Sequence, residues 1–192
     1  MPITLATMPK QLPDAAVAAV RRSIGGMRSP SVATAKADSL HLALQHPVYD
    51  LSAADVLAGH GLEKAVQTAW RQLVEHDGAA VATVELPLGG SSGQFTVTNG
   101  PFAPGLAAAA ERAENLSGVD DAHFKLRILR VPALYAELLW LSPEPDGEDL
   151  LLPVAPAPPP LDPGETYSAA EALAALASAA DDRDLRTRPK AG

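Results

Sequence analysis

The stretch that most constrains the fold of this chain is its most apolar one, RVPALYAELLWL, at residues 130–141. A membrane-spanning helix needs about 20 mostly apolar residues, and any window of that length here takes in Pro132, Glu137 and further charged or proline residues. A long apolar run bounded by turns is typical of a buried strand. We therefore predict a central strand covered on both faces, with Pro132 at a bend between two strand-like halves and Trp140 in the core. A helix with a leucine stripe is the alternative.

Short strands and capped helices are predicted on either side of this stretch. HFKLRILRV, VATVEL, QFTVTN and DLLLPV have strand patterns and lie next to turn residues. Residues 62–75 fit either a helical stripe or a strand, and the His-Asp-Gly turn that follows favours a strand at 67–75 in a hairpin with 79–86. Ser52 and Ser168 each stand three residues before an acidic residue, the pattern of a capping box. Together these elements predict an α+β fold, mainly an antiparallel sheet of about five or six strands with helices on one face.

Composition divides the chain into four parts. Residues 1–40 are predicted to be a basic, partly disordered arm with a short helix, followed by a central α+β domain at 41–155. Eight prolines between residues 143 and 163 predict a stiff polyproline strap. The strap and a C-terminal helix, 156–180, are expected to pack on the domain, and a charged tail follows at 181–192.

Charge and residue usage exclude several classes of function. The net charge is −8 and it is uneven, because residues 1–40 carry +3 and the remaining chain carries −11. An acidic body repels phosphate backbones, so the main domain is not expected to bind nucleic acid. The chain has no cysteine, which excludes disulfides and thiolate catalysis. A cytoplasmic location is expected, with an organelle transit peptide at 1–40 as the alternative, since that segment is poor in acids and contains arginines.

No catalytic motif in the sequence has the structural context that it needs. The segment at residues 89–93 matches the G-x-S-x-G pattern of a nucleophile elbow, but that elbow precedes a helix, whereas a strand pattern follows here. The five histidines show no metal-ligand spacing, and no metal or cofactor is predicted. If a curved sheet forms a ligand pocket, the candidate residues are His123 and Tyr135, near the ends of adjoining strands, and His76 at the hairpin turn.

Three segments of the chain resemble proteins of high-GC bacteria that have no assigned activity. They are VPALYAELLWL, the nearby DLLLPV and the YSAAEAL that follows the prolines. The resemblance extends over residues 48–167, and it implies no catalytic residues.

The sequence favours a non-catalytic protein-interaction or assembly module, which binds a protein partner or associates with itself. The support is the lack of a complete catalytic motif and the opposite charges of the arm and the body. The first alternative is a small-ligand-binding protein or an enzyme with a pocket in a curved sheet. The second is an N-terminally targeted or membrane-associated protein.

Overall fold

The computed structural model describes residues 3–4, 40–89, 95–116 and 123–187, and of 3–4 and 183–187 it describes the backbone alone. These residues form an α+β fold, as predicted, with one mixed, mostly antiparallel sheet and helices packed against it. Within these ranges, no helix combines the length and hydropathy that crossing a bilayer requires. Most of the predicted N-terminal arm lies outside the described residues.

The described residues contain nine strands of one sheet. In chain order they are β1 (Ile3–Thr4), β2 (Leu40–Asp50), β3 (Val66–His76), β4 (Ala79–Pro87), β5 (Thr96–Thr98), β6 (His123–Val131), β7 (Ala136–Glu144), β8 (Leu150–Pro153) and β9 (Tyr167–Ser168). Eight lie side by side in the order β5-β4-β3-β2-β6-β7-β8-β9, and β1 pairs with β6. Neighbouring strands are antiparallel, except that β6 runs parallel to β2 and to β1. The predicted hairpin is confirmed as β3 and β4.

The sheet has more strands than the five or six that the sequence predicts. The main addition is β2, in which Gln45, His46 and Pro47 interrupt the strand pattern. A bulge between Ala43 and His46 accommodates them. Pairing with β6 begins at Val48, so Pro47, which lacks a backbone N–H, lies outside that ladder.

The helices of the described chain are α1 (Ala53–Leu57), α2 (Phe102–Glu114) and α3 (Ala169–Thr187), with 3₁₀ turns at Leu62–Lys64 and Pro132–Leu134. Both predicted N-caps are confirmed, and the capping box at Ser168 is complete, because its N–H donates to the Glu171 carboxylate (2.9 Å). The hydroxyl of Ser52 accepts a hydrogen bond from the Asp55 N–H (3.0 Å), and that of Ser168 accepts one from the Glu171 N–H (3.3 Å). These bonds fix where α1 and α3 begin.

The apolar stretch at 130–141 is a hairpin corner rather than one bent strand. β6 ends at Val131, Pro132 opens a 3₁₀ turn, and Tyr135 leads into β7 with a left-handed φ of 52°. The two strand-like halves therefore lie side by side as antiparallel neighbours. Trp140 is 5% exposed, which confirms its place in the core.

Helices cover both faces of the sheet, so the prediction of helices on one face was wrong. On one face, which we call the α2 face, Leu106 of α2 packs with Ile128 of β6. On the other, Leu176 of α3 packs with Leu129 of β6 and Trp140 of β7. Successive side chains of a strand point to opposite faces, and the central strands are apolar on both. Two covering layers are therefore needed to keep these side chains from water.

The proline-rich segment crosses from one face to the other around the end of β8. It bends at 155–156 and turns at 159–160, and it links β8 to β9 and α3. It starts against α2, since a Cβ placed on Gly105 would lie 2.1 Å from the Ala155 carbonyl oxygen. It ends with Leu161 buried in the core beside α3.

Candidate functional site

Five charged side chains meet on the α2 face near one end of the sheet. We call them the charged cluster: Asp50 of β2, Arg71 of β3, Glu85 of β4, Arg130 of β6 and Glu137 of β7. Strand alternation places them there. Arg130 follows Ile128 by two residues and Glu137 precedes Leu139 by two, and both apolar residues belong to the core under α2. The cluster therefore continues the apolar layer of this face.

The two arginines of the charged cluster link its three carboxylates. Arg71 donates from Nη1 and Nη2 to the two oxygens of Glu137 (2.7 and 3.1 Å), and from Nε and Nη2 to Glu85 Oε2 (3.1 and 2.8 Å). Arg130 donates from Nε and Nη2 to Asp50 (2.6 and 3.1 Å), and from Nη1 to Glu85 (3.2 and 3.3 Å). The ion pairs link the five side chains in the order Asp50, Arg130, Glu85, Arg71, Glu137. Their charges alternate along this series, and the formal net charge of the cluster is −1.

These bonds span four neighbouring strands on the α2 face. Arg71 on β3 reaches Glu137 on β7, and Arg130 on β6 reaches Glu85 on β4, although two strands lie between the partners in each case. Strands lie about 4.8 Å apart, so partners three strands away are about 14 Å apart in a flat sheet. The long arginine and glutamate side chains therefore lean toward each other over the two strands between them.

Both arginines of the cluster are held in the charged form. Burial disfavours the charge of Arg71, but its hydrogen bond to Glu137 and the charges of Glu137 and Glu85 outweigh burial and raise its pKa. Burial also opposes the charge of Arg130, and the hydrogen bond to Asp50 and the charges of Glu85 and Asp50 raise its pKa in the same way. Neither guanidinium exchanges a proton near neutral pH.

His46 lies beside the charged cluster and is fully buried. Its Nδ1 lies 2.6 Å from the Leu44 carbonyl oxygen and donates to it, while Nε2 has no hydrogen-bond partner among the described residues. Burial, and then the charge of Arg71, lower the pKa of His46 to about 3, although the bond to Leu44 acts in the other direction. The imidazole is therefore neutral at physiological pH.

A cavity of about 220 Å³ opens next to the cluster, and we call it the rim pocket. Its lining residues come from the start of α2 and from the corner between β6 and β7: Phe102, Arg130, Pro132, Tyr135, Ala136 and Glu137. Tyr135 is 74% exposed at the mouth, and its positive φ is rare for a large side chain. A backbone bond from its N–H to the Pro132 carbonyl (3.1 Å) closes the turn that carries it. Such conformations persist where the surrounding structure holds them.

The structure brings one of the three sequence-predicted site residues to the rim pocket. Tyr135 lines it. His123 is exposed at the first residue of β6, opposite Glu144, at the far end of the β6–β7 hairpin. His76 ends β3 at that same far end, with its Nδ1 3.6 Å from Asp77. The two histidines are therefore separated from Tyr135 by the length of the sheet.

The charged cluster was not predicted from the sequence, although the sequence places Arg130 and Glu137 at inward positions of apolar strands. Arg130 continues the stripe of Phe124 and Ile128, and Glu137 begins the stripe of Leu139. A charged residue at an inward position of a buried strand needs a charged partner. That signal points to buried ion pairs, but it does not identify the partners.

Within the described parts of the chain, no group of three or more histidine, aspartate or glutamate side chains is arranged to hold a metal ion. Comparison of the chain with protein-family models, with curated proteins and with solved structures gives no match.

Proposed function

We propose that the chain is a non-catalytic, cytoplasmic interaction module that recognises a protein partner through the rim pocket. The observation that carries the proposal is an open pocket with an exposed tyrosine at its mouth, set against a charged cluster whose internal hydrogen bonds are already made. Binding sites typically combine apolar walls with a few polar groups that are fixed in place.

The chemistry of the charged cluster favours binding over catalysis. A general acid or base must gain and lose a proton near the working pH. The guanidiniums of Arg71 and Arg130 do not, and they hold the three carboxylates in ion pairs. The cluster is thus suited to fixing the shape and charge of a site.

The size of the rim pocket favours a side chain of a partner protein over a whole small molecule. Its volume of about 220 Å³ lies below the range of about 300–1,000 Å³ that is usual for ligand pockets. One large side chain fits such a volume. A small-molecule ligand, the alternative, would bury only part of itself here.

Exposed apolar residues collect at the same end of the sheet as the rim pocket. The described chain has four exposed large hydrophobic residues: Leu57, Val66, Leu88 and Tyr135. All four lie at the end of the sheet where β2, β4 and β6 finish and β3 and β7 begin. Exposed apolar side chains that collect in one region are typical of interaction surfaces.

The proposal is tested by mapping where side-chain analogues bind. N-acetyl amino-acid methylamides of lysine, arginine, leucine, tyrosine and glutamate are titrated into ¹⁵N-labelled protein, and amide shifts are followed by NMR. We expect changes to concentrate at Phe102 and residues 130–137. Tyr135→Ala should weaken the response, because it removes the ring at the mouth, whereas His123→Ala, at the far end of the sheet, should leave it intact. A chain that responds to no analogue at these residues does not use the rim pocket for binding.

Self-association stays a separate prediction. It is checked by sedimentation equilibrium of wild type and Tyr135→Ala across a range of concentrations. A wild-type dimer that the variant weakens would make a second copy the partner. A monomer at all concentrations leaves a different protein as the partner.

A further inference from the structure

We infer that the rim pocket takes a cationic side chain, a lysine or arginine presented by a basic segment of the partner, which binds between the rings of Phe102 and Tyr135 with its charge at Glu137. The inference rests on the proposed function, and it adds the chemistry of the occupant. Three independent features of the pocket support it: charge, hydrogen-bonding capacity and aromatic walls.

The first feature is the charge of the cluster behind the pocket. Three carboxylates face two guanidiniums, so one negative charge is not balanced within the cluster. Arg71 and Glu137 are almost fully buried, and charges in such a place are poorly screened by water. The acidic body of the chain, with a net charge of −11 beyond residue 40, attracts a basic partner over a longer range.

The second feature is the hydrogen-bonding capacity left in the pocket. Arg130 lines it, but its Nε, Nη1 and Nη2 already donate to Asp50 and Glu85. Among the described residues, each Glu137 oxygen accepts one bond, from Arg71, and a carboxylate oxygen can accept two. The Glu137 carboxylate therefore has acceptor capacity left, and a side chain that donates hydrogen bonds fits it.

The third feature is the pair of aromatic rings that line the pocket, Phe102 and Tyr135. The face of an aromatic ring attracts a cation within about 6 Å of its centre. Pro132 and Ala136 are apolar, and they match the methylene stem of a lysine or arginine. A carboxylate beside aromatic rings thus suits a cation on an apolar stem.

An anionic occupant is disfavoured even though a helix begins at the pocket. The N–H of Ala103 donates to the Gly100 carbonyl (3.3 Å) and that of Gly105 to the Pro101 carbonyl (3.1 Å), and Pro104 has no N–H. Most of the donors that the start of a helix would offer to an anion are therefore used or missing.

The test compares three probes that differ in charge. Dissociation constants are measured by NMR titration for N-acetyl-lysine methylamide, for the norleucine analogue, which has a similar stem without the ammonium, and for the glutamate analogue. We expect wild type to bind the lysine probe about tenfold or more tightly than the norleucine probe, which corresponds to one charge-assisted hydrogen bond. Glu137→Gln should remove most of this preference. Glu144→Gln, which removes one exposed carboxylate at the far end of the sheet, should retain it.

Phe102→Leu provides a second test that leaves the charged cluster intact. It keeps an apolar wall but removes the ring, so the lysine probe should bind about two- to fivefold more weakly, the range of a partly exposed cation–π contact. The norleucine probe should bind as before. If Glu137→Gln does not fold, the Phe102→Leu result decides the question by itself.

Each outcome separates the inference from the proposed function. Equal affinity for the lysine and norleucine probes, or preference for the glutamate probe, would overturn the cationic occupant and leave the pocket as a binding site. A lysine preference that survives Glu137→Gln unchanged would overturn it as well. If no probe perturbs the pocket, both proposals fall.

Discussion

Replacing Arg71 with methionine tests whether the charged cluster is a buried, mutually dependent unit. The side chain of Arg71 is 6% exposed, and its partners Glu137 and Glu85 are 11% and 19% exposed. Methionine fills similar space but leaves both carboxylates without this partner. The Glu85 carboxylate keeps Arg130, whereas the Glu137 carboxylate loses both hydrogen bonds that the described residues give it.

Breaking a buried ion pair on one side is expected to lower the free energy of unfolding by about 3–5 kcal/mol. The loss should be larger at pH 8 than at pH 5, because a stranded carboxylate is stabilised by taking up a proton. The double variant Arg71→Met/Glu137→Gln should be more stable than the single effects predict by about 0.5–3 kcal/mol, since the two side chains interact directly.

Urea unfolding, followed by tryptophan fluorescence at both pH values, measures these differences. The matched control is Lys125→Met. It also replaces a cation with methionine, but the ion pair that it breaks, with Glu144, lies near the surface. We expect the control to change stability by less than about 1 kcal/mol. A loss of less than about 1 kcal/mol for Arg71→Met at pH 8, as for the control, would show that the cluster is not a buried unit.

Three further variants test other parts of the account. The pKa of His46 is lowered from 6.5 to about 3, so below pH 6.5 the unfolded chain binds a proton at this residue and the native chain does not. The contribution of the neutral imidazole to the free energy of unfolding is therefore complete above pH 6.5, and it falls by up to about 1.4 kcal/mol per pH unit below that pH. Urea titrations of His46→Asn between pH 7 and 4.5 should show a shallower dependence of this free energy on pH than wild type. Gly105→Ala should lower the melting temperature by an amount that corresponds to about 1–3 kcal/mol, because the added Cβ would collide with the Ala155 carbonyl oxygen. The control Gly100→Ala should change the melting temperature little, because a Cβ there has no atom within 4 Å. A Gly105→Ala variant more stable than wild type would contradict the close approach. Trp140→Ala should lose about 3–5 kcal/mol of unfolding free energy, and a variant as stable as wild type would show that this ring is not a core residue.

Local patterns were enough to predict much of the sheet. The β3–β4 hairpin and β6 follow from alternation and a turn signal that lie within a few residues of each other. The positions where α1 and α3 begin follow from Ser52 and Ser168, because a capping box satisfies backbone N–H groups within the first turn of its helix. β2 was missed since its bulge and Pro47 break the strand pattern.

The candidate site could not be assembled from local patterns. Its five charged residues are spread over positions 50 to 137, and the parallel pairing of β2 with β6 brings their strands together. This pairing has no local signature, since it depends on which distant strands bury each other's side chains. Tyr135 was predicted because of its place near a strand end, and the two histidines predicted with it, His76 and His123, lie at the far end of the sheet.

The position of a bound cation shows whether the rim pocket holds it between Phe102 and Tyr135. Isotope-filtered NOEs are recorded for wild type saturated with N-acetyl-lysine methylamide. We expect contacts from the methylenes next to the ammonium to the ring protons of Phe102 and Tyr135. Saturable binding with contacts to the aromatic residues of the opposite face, Tyr49 and Trp140, and none to the rim pocket would rule out this binding site.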